Sequence, residues 1–161
     1  MADTIVVWQN TYSVGIKLID EQHKELIKLT NKLFASCMTS HERTRQIFLD
    51  TIHEAVDYVG YHFGTEEKVM ERVNYPKYND HKKEHADFVR EVFSKVDEFN
   101  AGKMRSSLSF VYYLRDWVLH HIAVSDKKMG EYLQALHNSG ELKQMTLKVK
   151  KDETTNRLQI K

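Results

Sequence analysis

Histidine interrupts the apolar face of each of four helical segments in this 161-residue chain, and so many imidazoles can be buried only where the fold gives them partners. The helices come from the spacing of the apolar residues. Residues 1–18 read as an extended arm with Trp8 and Tyr12 as packing anchors. Asp20 is placed to cap a first helix running to about Met38, with Ile19, Leu26, Ile27, Leu33, Phe34 and Cys37 on one face. A second helix spans roughly 42–72 through Phe48, Ile52, Ala55, Val56, Val59, Phe63 and Met70, with Val73 just beyond it. Asn74-Tyr75-Pro76 ends it, and Pro76 suits the first turn of a third helix over about 77–99, striped by Phe88, Val92, Val96 and Phe99. Asn100-Ala101-Gly102 is a stop signal. A fourth helix over about 104–123 carries Leu108, Val111, Leu114, Val118 and Ile122, and a short further helix follows over 126–137. Pro76 is the single proline, so little interrupts these runs. The pattern predicts an all-α, antiparallel up-and-down four-helix bundle over 1–137. In the tail, 138–161, Leu147, Val149, Leu158 and Ile160 alternate with polar residues. That fits either a small β-hairpin or a disordered segment.

Helical phase sorts the nine histidines. His23 lies three and four residues before Leu26 and Ile27. His62 follows Val59 by three, and Glu66 follows His62 by four. His81 and His85 are four apart, on a line continued by Phe88 and Val92. His121 follows Val118 by three and Leu114 by seven, and Asp126 comes five later, at or beyond the end of its helix. Side chains four apart share a face, one turn removed. Either pair alone is more often solvated surface; together, on facing helices, they call for a metal. His41 and His137 sit in polar terminal contexts, and His53 and His120 are each one residue off the stripe, so these four read as solvated, with His120 near the mouth of a site.

Five imidazoles and two carboxylates exceed what one structural zinc takes and suit two six-coordinate first-row ions, iron, manganese or zinc. The set is poorer in carboxylates than the paired Glu-x-x-His motifs of ferritin-like di-iron bundles. Fewer anionic ligands favour reversible ligand binding over oxidative attack on a substrate.

The segments Val14-Gly15, Ile19-Asp20-Glu21-Gln22-His23, His62-Phe63-Gly64-Thr65-Glu66-Glu67, Tyr75-Pro76, His81, His85 and Trp117 through His121-Ile122 to Asp126 resemble the hemerythrin family, in its single-domain bacterial form, over about residues 5–137. The resemblance implies two iron ions per chain in an oxo- or hydroxo-bridged di-iron centre. His81, His85 and His121 would hold one iron, His23 and His62 the other, and Glu66 and Asp126 would bridge them. These donors leave one coordination position open on the two-histidine iron, where the resemblance implies that dioxygen binds. Offsets from the ligands make Leu26, Phe63, Trp117, Val118, Ile122 and Met129 the expected oxygen pocket. The family commonly has leucine after the tryptophan; Val118 stands there in this chain.

The expected function is reversible dioxygen binding for storage, delivery or sensing, with no catalytic residues. The rivals are a di-iron peroxidase or a nitric oxide or peroxide scavenger, a redox- or oxygen-sensing interaction module, and a zinc or iron storage bundle. A net charge of +1 argues against nucleic acid as a partner, and no apolar run approaches a membrane span. One cysteine, Cys37, and the lack of a signal-like N-terminus lead to the expectation of a cytoplasmic protein. The basic excess after Gly140 is small and suits a protein partner docking on the tail.

Overall fold

The structure, a computed structural model, describes residues 4–38, 44–103 and 107–141. The expected tail hairpin and His41 lie outside these residues. The helices are α1 (Lys17–Cys37), α2 (Thr44–Arg72), α3 (Tyr78–Asn100) and α4 (Ser107–His121). A π turn (Ile122–Asp126) continues α4 without a break into α5 (Lys127–Asn138). No helix among the described residues is long and apolar enough to cross a membrane.

The apolar stripes form the core as expected. Leu33, Phe48, Ile52, Val56, Phe63, Phe88, Val92, Val96, Phe110, Val111 and Leu114 meet in one cluster. α1 packs on α2 and α4, and α2 on α3. The helix ends follow local chemistry. Asn74, at φ 51°, closes α2: its amide donates to the Glu71 carbonyl and that of Tyr75 to the Met70 carbonyl, the paired bonds of a left-handed cap. Gly102, at φ 68°, closes α3 likewise, with bonds from Gly102 to Phe99 and from Lys103 to Glu98. Pro76 falls before the cap residue Lys77 instead of in the first turn of α3.

One expectation is corrected at α1. Asp20 is not its cap, because the helix begins at Lys17 with Ile16 before it. The Asp20 carboxylate turns back from the first turn to the arm, accepting from the Val14 amide at 2.8 Å and the Ser13 hydroxyl at 2.6 Å. An acid near a helix N-terminus also complements its dipole. The arm is pinned from the other side by α5: Lys127 Nζ donates to the Ser13 carbonyl and Gln134 Nε2 to that of Val14. Trp8 and Tyr12 stack edge to face at 5.9 Å, and Tyr12 packs beside Leu26, Val118 and Ile122.

This docking needs a glycine on α5. A Cβ at Gly130 would stand 2.3 Å from the Val14 carbonyl oxygen and 2.9 Å from Val14 Cβ. Both atoms belong to Val14, which is buried and hydrogen-bonded and has little room to give. Gly130→Ala should therefore lower stability by about 1–3 kcal/mol through overpacking and loosen the arm. Thermal unfolding and limited proteolysis before Lys17 would check this; unchanged stability and protection would contradict it.

Candidate metal centre

Near the start of α1 and α3 and toward the end of α2 and α4, the four helices turn polar side chains inward. His23 comes from α1, His62 and Glu66 from α2, His81 and His85 from α3, His121 from α4 and Asp126 from the last residue of the π turn, and all seven are buried. The π turn accounts for the spacing of the last pair. In an α-helix, residues five apart diverge in phase; the wider turn accommodates one more residue and brings Asp126 back over the line of His121. The sequence expectation of Asp126 at or past a helix end is corrected: it sits within a continuous helical run.

The polar atoms gather into two sets that share Glu66. In the first, the Nε2 atoms of His85 and His81 stand 3.0 and 3.1 Å from His121 Nε2. Glu66 Oε2 lies 3.2 Å from His85 Nε2 and 3.4 Å from His81 Nε2. Asp126 Oδ1 is 3.2 Å from His81 Nε2 and 3.1 Å from His121 Nε2. In the second set, Glu66 Oε1 approaches His62 Nε2 at 3.5 Å and His23 Nε2 at 3.8 Å, while Asp126 Oδ2 lies 3.1 Å from His23 Nε2. Each carboxylate thus gives one oxygen to each set, the arrangement a bridging ligand needs.

At the carboxylates and His23, close approach does not amount to hydrogen bonding. Both ring nitrogens of His23 and all four oxygens of Glu66 and Asp126 are buried without a hydrogen-bond partner. Leaving such groups unpaired costs about 1–3 kcal/mol each, more when charged. Lone pairs from five imidazoles and two carboxylates converging on two points fit two cations of the first transition row.

The outer nitrogens of three rings have their own partners, which spacing alone does not reveal. His62 Nδ1 meets Gln22 Oε1 at 3.0 Å, and Gln22 is steadied by Thr65. His85 Nδ1 lies 3.1 Å from Glu67 Oε1, and His121 Nδ1 lies 3.1 Å from Glu84 Oε2. Glu84 also accepts from the Ser125 hydroxyl at 2.6 Å, so one α3 carboxylate holds both the end of α4 and the π turn that follows it. The hydrogen bond from His121 is the main reason that the Glu84 carboxyl is held down to about 2.

Beside the ligand layer lies a small cavity (≈ 10 Å³ open to the centre of a water-sized molecule) lined by Leu26, Val59, Phe63, Phe88, Trp117, Val118 and Ile122, with His62, His121 and Asp126 at its floor. Five of the six expected pocket residues are brought together here, and Val59 and Phe88 are additions. Met129 is the exception. It lies one turn past Asp126, on the other side of the ligand layer, packed with Val69, Met70, Tyr75 and Leu133. The cavity's residues stand one turn from the ligands in alternating chain directions: Leu26 after His23, Val59 before His62, Phe88 after His85, Val118 before His121. This alternation is the antiparallel bundle seen from inside. Trp117 stacks on His121 at 4.5 Å and on Phe88 at 3.8 Å, and Phe63 stacks on His85 at 3.7 Å. His53, His120 and His137 are exposed and apart from the layer.

Fold and site together define a histidine-rich dinuclear metal protein built on a four-helix bundle. Residues 14–133 match the hemerythrin HHE cation binding domain. Bacteriohemerythrin of Stenotrophomonas maltophilia is 33% identical over 131 residues, covering 81% of this chain and 83% of the relative. That of Methylococcus capsulatus is 30% identical over 124 residues, covering 77% and 92%. A crystal structure of wild-type hemerythrin superposes with a TM-score of 0.73 at 27% identity, over 80% of this chain and 97% of that one. The chain belongs to the hemerythrin family and is a di-iron, dioxygen-binding protein.

Two outcomes follow from the electrostatics. Burial pulls the imidazoles of His23, His81 and His121 toward the neutral form, but Asp126 and Glu66 outweigh it. The result is about 9 for His23 and His81 and about 10 for His121. In metal-free protein these protons favour the fold fully below the unfolded value of 6.5, and their contribution is lost as pH rises through about 9–10. His62, held down to about 4 chiefly by burial, acts the other way, opposing the fold increasingly as pH falls below 6.5. The melting temperature of metal-free protein should therefore drop from neutral pH toward about pH 10, while iron-loaded protein, whose ligand imidazoles bind no proton at Nε2, should not follow it. The second outcome concerns the outer carboxylate. Glu84→Gln should weaken iron retention by about 10–100-fold, as loss of such partners does elsewhere, and Ser125→Ala by less. Competition with a chelator would measure both; wild-type retention in Glu84→Gln would remove Glu84 from the account.

Proposed function

We propose that His81, His85 and His121 hold one iron, that His23 and His62 hold the other, and that Glu66 and Asp126 bridge them. The split of each carboxylate between the two sets supports this assignment. The bound irons would supply electrons and one open coordination position for dioxygen on the two-histidine side. The chain's own task is exclusion. Leu26, Phe63, Trp117, Val118 and Ile122 keep water from the cavity, and none of them carries a titratable group. We read the protein as a cytoplasmic, non-enzymatic reversible binder of dioxygen, serving storage, delivery or sensing, with a protein partner engaging the tail. The single observation that carries this reading is the apolar cavity directly against the ligand layer. Beyond the ligand set, its lining offers no side chain to relay protons to a bound substrate, as peroxidase turnover would use.

The absorption spectrum of anaerobically reduced protein, before and after air, tests the reading. A reversible colourless-to-coloured change supports it, and a permanent change to the diferric form would favour a scavenger or redox sensor.

Alanine at any of the seven ligand positions should lower iron content below two per chain, whereas His53→Ala, His120→Ala and His137→Ala should leave it intact, by metal analysis. Loss of iron in His120→Ala with retention in His121→Ala would reverse the phase assigned to α4. Val118→Leu tests the cavity. Its added methylene should slow the decay of the dioxygen-dependent absorption in air, at a stability cost of up to about 1–3 kcal/mol if the pocket is tight. Equal or faster decay in a folded, fully loaded variant would place control of water entry elsewhere.

A further inference from the structure

The ligand cavity shares two of its walls, Val59 and Phe88, with a second and larger cavity farther from the metal layer. By the same measure this one holds ≈ 30 Å³. All four helices bound it: Leu33 of α1, Ile52 and Val56 of α2, Val92 of α3 and Leu114 of α4, all buried. Ala55 of α2 and Val89 of α3 complete it, and both are only half-buried, so the way to solvent runs along the seam between those helices.

The walls are wholly aliphatic and aromatic. Water entering such a space finds none of the two to four polar partners it needs, and apolar cavities in proteins stay dry and take up apolar guests. Native cores are packed closely enough that a void larger than a water molecule is uncommon. This one lies on the bundle axis, one to two helical turns (about 5–11 Å) beyond the ligand layer. Of the two shared walls, Phe88 is held in place by stacking on Trp117 at 3.8 Å and by edge contact with Phe63 at 6.0 Å. Val59 is half-buried and has no such clamp, so it is the wall that can yield.

We propose that this second cavity is a docking site for dioxygen and similar apolar diatomic gases, filled through the α2–α3 seam at Ala55 and Val89 and emptied past Val59 into the ligand cavity. The proposal rests on the reading of the ligand cavity given above. Gas waiting there would be separated from the metal layer by one side chain, and water would not share the path.

Xenon is the probe, because it reports an apolar cavity without iron chemistry. Crystals of iron-loaded protein pressurised with xenon should show it between Val56, Val92 and Leu114, and Ala55→Leu, which fills the outer part of the void, should abolish it. Ala55 lies outside the ligand cavity, so the variant should keep two irons and the wild-type spectrum in air. Mixed anaerobically with dioxygen in a stopped-flow instrument, it should combine severalfold more slowly. If Ala55→Leu does not fold, Val92→Ile adds one carbon to the same void and should shift both readouts in the same direction. Absence of xenon from wild-type protein would overturn the site. An unchanged rate in a filled variant would overturn the path. If no spectrum develops in air although xenon binds, the ligand-cavity reading fails, and the path falls with it.

Discussion

Everything in this bundle turns on two carboxylates, Glu66 and Asp126, with no exposed surface in the middle of a helical core. An ionised carboxylate moved from water to such a place loses solvation worth several kcal/mol even after relaxation. Hydrogen bonds do not make up the loss, because all four oxygens lack them. Only positive charge can, and the five imidazoles at 3.1–3.8 Å are arranged to share it, as protons or as metal. The same constraint explains why each helix gives at least one polar side chain to this layer.

Two local devices bring these groups into register. The π turn lets a five-residue interval act as one turn, so that His121 and Asp126 address the same point. Glu84 then holds that turn from α3, through His121 just before it and Ser125 within it. The arm adds a third contact, with Asp20 and Gln134 holding Val14 and Gly130 leaving room for it. The run that carries His121 and Asp126 is thereby gripped from two directions.

Helical period made the bundle and its inward histidines legible before any coordinates, because a buried imidazole on an apolar stripe is conspicuous at spacings of three and four. It failed where the cause is tertiary or irregular. Asp20 looks like a cap because acids favour helix starts, yet its partners lie in the arm. Met129 follows Ile122 by seven and so belongs to the cavity in a uniform helix; the π turn and the change of level past Asp126 put it on the far side of the ligand layer. Gln22, Glu67 and Glu84 each neighbour a ligand in sequence, and adjacent helical residues point in different directions. Only the packing of α1 on α2, and of α3 on α4, turns Gln22 and Glu84 into partners of His62 and His121.

The outer partners also make the two halves of the centre unequal. On the three-histidine side, His85 and His121 each face a carboxylate across the ring, Glu67 and Glu84. On the other side, His62 faces the neutral amide of Gln22, and the outer nitrogen of His23 has no partner. A carboxylate behind an imidazole raises the basicity of the ring as a ligand, which an amide does far less. A metal on the side of His81, His85 and His121 would therefore receive more electron density from its imidazoles than one on the side of His23 and His62. The chain's own hydrogen bonding, and not the count of histidines alone, thus sets the two halves of the centre apart.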